Sequence, residues 1–210
     1  MKPGYALALL TLLAACVDPS GMEGKFGTVN PKMYREQITI PITLPPNAPS
    51  VFQQYRRLPP IQGNPEGRQE HLGIDFVARS GTPVLAAAPG RVIATEKGPA
   101  YGNVVIIDHG TDSRGRRIRS IYKHMKARMV EEGEIVARGQ QVGGVGRTGI
   151  MSAGINHLHF ELLLSEDGTR FDQVDPSAYW SGGVGIAECF AGQTLPERPF
   201  RITLPVACRQ

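Results

Sequence analysis

Long apolar runs, sustained helical patterning and aromatic clusters are all scarce in this chain of 210 residues. The extended apolar stretch at residues 5–15 falls short of the roughly 20 residues that a helix needs to cross a bilayer. No segment keeps a helical period for a convincing length and no repeat is evident, so a fold built on helices has little to draw on. Aromatic residues make up 7% and do not interleave with the basic ones, which leaves no stacking platform for nucleic acid. The net charge of +4 is modest. Its one concentration, Arg114, Arg116, Arg117 and Arg119, reads as a solvated loop, with an acidic polymer as the alternative partner. Histidine is rare, with five in the whole chain, and cysteine numbers three.

Punctuation, by contrast, is abundant. The 25 Gly and 17 Pro break helices and favour short strands joined by turns. From His71 onward, short β-type runs follow one another at 73–77, 83–87, 90–95, 103–108, 118–124, 134–136 and 157–164, with Gly or Pro in or near most gaps. This pattern predicts an all-β fold, a twisted antiparallel sheet or sandwich with few short helices. Residues 38–44 add one candidate strand that Pro41 would hold at an edge. Asp175 followed by Pro176 predicts a single helical turn, with the carboxylate as its cap.

Lys2 and the apolar stretch behind it fit a secretory signal. The stretch ends in Leu13-Ala14-Ala15-Cys16, which resembles the lipobox of bacterial lipoproteins. That resemblance implies cleavage before Cys16 and acylation of its thiol, so 1–15 is expected to be a lipoprotein signal peptide and Cys16 the membrane anchor. Val17, rather than an aspartate, follows the cysteine; the resemblance then implies sorting to the periplasmic face of the outer membrane. An exported chain meets an oxidising compartment, so Cys189 and Cys208 are expected to pair as a disulfide. Their wide spacing, with no histidine close by, argues against a thiolate metal site.

Four of the five histidines fall in three short clusters. In His71-Leu-Gly-Ile-Asp75, an extended backbone would turn His71 and Asp75 to one face, with Gly73 leaving room between them for an ion. In His157-Leu-His159-Phe-Glu161-Leu, the histidines and Glu161 share one face and Leu158, Phe160 and Leu162 the other. The third cluster, Tyr122-Lys123-His124, carries a lone histidine near a strand end. Two histidines and a carboxylate, with an open fourth position, suit catalytic rather than structural zinc.

Taken in order, these clusters resemble the lysostaphin-type (LytM) zinc endopeptidases. The linking segments at 81–88, 102–110 and 139–149 resemble the family's turns and strands, and the similarity covers about 63–180. It implies a LytM-type sheet or sandwich over 63–180, preceded by a tether and N-terminal extension at 16–62. A C-terminal extension with the disulfide follows at 181–210. Position by position, it implies His71, Asp75 and His159 as zinc ligands and His124 and His157 as the catalytic pair. His109 falls in a structural His-Gly turn, and Glu161 supports the site or faces solvent. The implied activity is zinc-dependent hydrolysis of peptide cross-links in bacterial peptidoglycan. The alternative is a non-catalytic envelope regulator that binds peptidoglycan or activates a cell-wall amidase, as in relatives that have lost metal ligands; here all five positions are filled. Two departures stand out: Lys123 replaces a residue that is usually small, and the hairpin at 112–117 is longer and more basic than usual.

Overall fold

The computed structural model describes residues 26–29, 40–57, 70–196 and 198–210. The expected signal peptide, Cys16, much of the tether and the boundary at 63 lie outside these residues. The described chain is almost entirely β. Its strands are β1 (Ser50–Gln53), β2 (Ile74–Val77), β3 (Pro83–Leu85), β4 (Gly90–Gly98), β5 (Gly102–Thr111) and β6 (Arg117–Met125). There follow β7 (Ala127–Arg128), β8 (Ile135–Val136), β9 (Gln141–Gly144), β10 (His157–Ser165) and β11 (Asp172–Val174).

The main sheet runs β1-β2-β10-β6-β5-β4-β8, and β11 pairs with the far half of β10. A smaller sheet is ordered β3-β9-β7, and every strand pairing is antiparallel. The two strands with the metal-type motifs therefore lie side by side: His159 is in register with Asp75 on one neighbour and with Lys123 on the other. Leu158, Phe160 and Leu162 are fully buried beneath them, as the alternation in β10 predicts.

The long β5–β6 hairpin turns at Asp112, whose Oδ1 accepts from the backbone N–H groups of Arg114 (2.8 Å) and Arg116 (3.0 Å). The Arg116 guanidinium closes on Oδ2 of the same residue at 2.7 Å, while Arg117 and Arg119 reach Asp108 at 2.8 and 3.3 Å. Three of the four arginines of the basic run are thus engaged locally by two carboxylates.

The C-terminal segment is built into the same core. Trp180 is fully buried and meets Phe76 edge-on at 6.3 Å, with Ile202 and Leu204 buried alongside. Backbone bonds strap the segment across the small sheet, among them Leu85 N–H to Pro205 O (2.8 Å) and Ala207 N–H to Pro83 O (2.9 Å). Cys189 and Cys208 form the expected disulfide, closing a loop with a sequence separation of 19. On the chain-entropy account that closure stabilises the fold by roughly 3 kcal/mol.

Three local expectations need correction. The described part of the candidate strand at 38–44 is not a strand; Thr43 makes only an isolated parallel bridge to Ile186, because Pro41, Pro45 and Pro46 remove ladder donors. His71 and Asp75 do not share one continuous strand. His71 pairs with Arg56, the chain bends at Gly73, and β2 begins only at Ile74. The space at Gly73 is also not left for an ion: a Cβ there would lie 2.6 Å from Phe160 O and 2.8 Å from His159 Nε2. The glycine admits the His159 ring itself. The turn expected at Asp175 is present as a 3-10 turn, Pro176–Ala178, with Asp175 Oδ1 accepting from Ser177 N–H at 2.8 Å.

His109, expected to be structural, lies in a hydrogen-bonded network that links β5 to β6. Its Nδ1–H donates to Pro89 O and Nε2 meets the Ser120 hydroxyl, both at 2.7 Å, and Ser120 in turn lies 3.1 Å from the Tyr122 hydroxyl. Burial pushes the His109 imidazole down to about 4, below the ordinary value of 6.5. Because the folded value is the lower one, protonation favours the unfolded chain. The contribution of the neutral ring is complete above pH about 6.5 and is lost as pH falls toward 4, by up to about 3 kcal/mol. In melts followed across that window, His109→Gln is expected to flatten part of the acid limb. Identical limbs in both proteins would assign the loss to other groups.

Candidate metal centre

Three side chains converge at the mouth of the sheet. His71 Nε2 lies 3.2 Å from Asp75 Oδ2, His159 Nδ1 lies 2.8 Å from Asp75 Oδ1, and one donor atom from each residue falls within 4.8 Å of the others. The rings of His71 and His159 meet edge-on, with centroids 4.9 Å apart. These are the three residues that the family resemblance implies as ligands; Asp75 and His159 meet because β2 and β10 are neighbours in register, and His71 enters from the chain just before β2.

The second nitrogen of each imidazole is already engaged. His71 Nδ1–H donates to Gln54 O at 2.9 Å, and His159 Nε2 is 3.0 Å from Glu161 Oε1. Each ring is thereby held in the orientation that turns its other nitrogen toward Asp75, the outer-shell support that metal-ligating histidines need. Glu161 is in turn gripped by the Lys123 ammonium. The donor set of two half-buried imidazoles and one buried carboxylate, pre-oriented by these contacts, fits a zinc ion with a position left open.

The charges of the cluster follow from its packing. Burial alone would raise the Asp75 carboxyl, yet the His71 and His159 imidazoles outweigh it and hold Asp75 well below the usual carboxylate range. For His159 burial opposes charge, but its bonds to Asp75 and Glu161 lift it to about 9. Without a cation, Asp75 is thus charge-balanced by a protonated His159, and a cation must displace that proton.

His124 and His157 complete the ring of histidines. Their centroids are 4.9 Å apart, and both are buried. His124 Nδ1–H donates to Thr148 O (2.9 Å) and His157 Nδ1–H to Ile155 O (3.0 Å), so each presents Nε2 to the cleft. His157 Nε2 lies 3.8 Å from Asp75 Oδ1.

His124 reaches this position through a backbone irregularity. Between the pairs Val105↔Tyr122 and Asn103↔Met125 the register shifts by one residue, and His124 has a left-handed φ of 64°. Such a bulge re-aims a side chain at a cost of order 1 kcal/mol. Here it lets both Lys123 and His124 line the same cleft, where simple alternation would send them to opposite faces. Neighbouring loops pin it: His124 N–H donates to Tyr101 O (3.0 Å), and Asn103 Nδ2 donates to Met125 O (2.9 Å). Gly102, with φ of 65°, is needed there because a Cβ would fall 2.1 Å from Thr148 Oγ1.

The cleft encloses about 390 Å³. Gln53, Arg56 and Gln173 wall one side with polar groups, and Tyr101 and Met151 contribute exposed apolar surface. Sequence reasoning missed Gln54 and the clasp between Lys123 and Glu161. Their roles depend on a backbone carbonyl and on cross-strand register, and neither carries a motif.

An all-β sheet with a His-Asp-His cluster and two flanking histidines defines a class of metallopeptidase-like centres, and sequence comparison agrees. The profile of Peptidase family M23 matches residues 69–173, half of the chain, and the chain belongs to this family. Peptidoglycan DD-endopeptidase ShyA of Vibrio cholerae is 38% identical over 94 residues, covering 45% of this chain and 20% of ShyA. Murein hydrolase activator NlpD of Escherichia coli is 36% identical over 91 residues, covering 43% of this chain and 22% of NlpD. The chain thus matches only about a fifth of the length of these relatives. Lysostaphin from Staphylococcus simulans superposes with a TM-score of 0.52 at 24% identity, covering 72% of this chain and 57% of lysostaphin. That likeness bears on the fold alone.

Proposed function

We propose that this protein is a zinc-dependent endopeptidase that hydrolyses peptide cross-links of bacterial peptidoglycan. The observation that carries the proposal is the completeness of the centre. His71, Asp75 and His159 converge with their outer nitrogens satisfied, and two further histidines turn Nε2 to the same cleft. Membership of Peptidase family M23 and the similarity to ShyA support the substrate class.

A zinc ion held by His71 Nε2, Asp75 and His159 Nδ1 would make a water nucleophilic near neutral pH and polarise the scissile carbonyl. The protein's own groups handle the proton. Burial pushes His124 down to about 4, so at pH 7 its ring is neutral and Nε2 can accept a proton. The same burial makes the charged ring a strong acid, suited to returning that proton to the leaving amine. His157 shares the duty from beside Asp75, stabilising charge that develops on the carbonyl oxygen. The polar wall at Gln53 and Gln173 offers hydrogen-bonding side chains to an extended peptide.

The similarity to NlpD favours a second reading, in which the protein activates another hydrolase instead of cutting the wall. The filled ligand set argues against it, since an activator has no use for a complete centre. Attachment to the envelope through a lipid on Cys16 is part of the proposal and is supported by the Leu13-Ala14-Ala15-Cys16 motif.

The deciding experiment is digestion of purified peptidoglycan by the zinc-loaded protein, with fragments read by mass spectrometry. Cross-linked dimers should become monomers, and chelation should stop the conversion. A folded, zinc-loaded protein that leaves the wall intact, yet stimulates an added amidase, would transfer the assignment to the activator reading.

A further inference from the structure

The buried ion pair between Lys123 and Glu161 has no place in the mechanism above. The two are only 9% and 4% exposed and sit on adjacent strands, Lys123 directly opposite His159 in the ladder. Two charges removed from water in this way contribute little net stability, because desolvation cancels most of their attraction. Core stability alone is therefore a weak explanation for the pair.

Its contacts point elsewhere. Glu161 Oε1 receives both the Lys123 ammonium and His159 Nε2, the latter at 3.0 Å, so one carboxylate oxygen joins the lysine to a candidate zinc ligand. The ammonium also lies over the face of the Tyr101 ring, 4.1 Å from its centroid, where the ring attracts a cation. Lys123 is thus held between Tyr101 at the cleft rim and Glu161 behind the ligand. A carboxylate paired in this way is held in place, and it accepts the Nε2–H of His159. The Nδ1 edge of the ring is thereby turned toward Asp75, 2.8 Å from Oδ1.

We propose that Lys123 is a positioning residue that acts through Glu161 to fix the ring orientation of His159 for metal binding. The inference rests on the zinc reading above and adds a lysine outside the set of three donors. Zinc affinity, measured by competition with a chelating dye, is the primary readout. Lys123→Met is expected to weaken zinc at least about tenfold, the usual scale for loss of an outer-shell partner. Glu161→Gln should weaken it to a similar degree. The double variant removes both charges and so leaves no buried ion unpaired; its loss should be no greater than that of the worse single variant, because both act through one route.

Nuclear magnetic resonance supplies a second readout. The His159 Nε2–H should exchange slowly in the zinc-loaded parent and rapidly in Lys123→Met. A purely structural lysine would lower the melting temperature of the metal-free protein and leave affinity and exchange unchanged, which would overturn the proposal. Unchanged or tighter zinc in Lys123→Met or in the double variant would overturn it too, since the lysine would then act only as a repelling charge. Losses that multiply in the double variant would do the same by separating the two residues. If the unaltered protein bound no zinc, the zinc reading itself would fall, an outcome distinct from normal binding that ignores Lys123.

Discussion

His71→Ala is expected to lose both zinc and hydrolysis, whereas His157→Ala should keep zinc and lose hydrolysis by roughly 10²–10⁴-fold. The contrast follows from where the two rings point. His71 Nε2 is directed at Asp75 and its Nδ1 is tied to Gln54 O, so alanine removes one of three donors and leaves Asp75 with a single imidazole partner for the cation. His157 is anchored by Ile155 O and turns Nε2 into the cleft beside Asp75 without completing the cluster of three. Removing it takes away a proton carrier and leaves the donor set whole. Metal content by atomic emission and release of cross-linked fragments are read on the same preparations. Loss of zinc from His157→Ala would place that ring among the ligands, and retained hydrolysis would remove it from the chemistry.

Trp180→Ala should destabilise the protein by about 3–5 kcal/mol, the range for deleting a large buried aromatic side chain. Trp180 is fully buried, and its ring packs edge-on against Phe76 of β2, one residue from Asp75. Backbone bonds from Ser181 N–H to Ile202 O (2.9 Å) and from Ile202 N–H to Tyr179 O (2.8 Å) bind the C-terminal strap to the same point. A cavity here would loosen the strap and β2 together. Chemical denaturation should record the loss in one cooperative transition, with the melting temperature falling by the order of 10 °C. Two separate transitions would mean that the C-terminal segment is an appendage and not part of the core.

The local patterns that the sequence displays are those that need no knowledge of distant neighbours. Alternation in His157-Leu-His159-Phe-Glu161 fixes which residues face the core, and the structure buries Leu158 and Phe160 as that alternation requires. Strand positions on either side of Gly-rich turns were legible for the same reason. Short strands were legible only in part: β2, β3 and β8 fall in the runs at 73–77, 83–87 and 134–136, whereas β7 and β9, with no period to detect, are held only by their partners. Likewise, β1 and the bridge from Arg56 to His71 involve a segment of no distinctive composition, and only pairing gives it a role.

Within the site, the sequence by itself determined the inventory: three residues of two types able to bind zinc, two further histidines, and an expected family pattern in which all of them were filled. The tertiary structure decided how they are used. The bend at Gly73 and the antiparallel register of β2 and β10 set the distances between donors. The bulge at His124 put adjacent side chains into one cleft, and the fold selected a backbone carbonyl at Gln54 and a lysine across the ladder to hold two imidazole rings. The division has a physical reason. Side-chain chemistry and short-range periodicity are encoded residue by residue, whereas tautomers, proton affinities and outer-shell contacts depend on burial and on partners that only the closed sheet brings within a few ångströms.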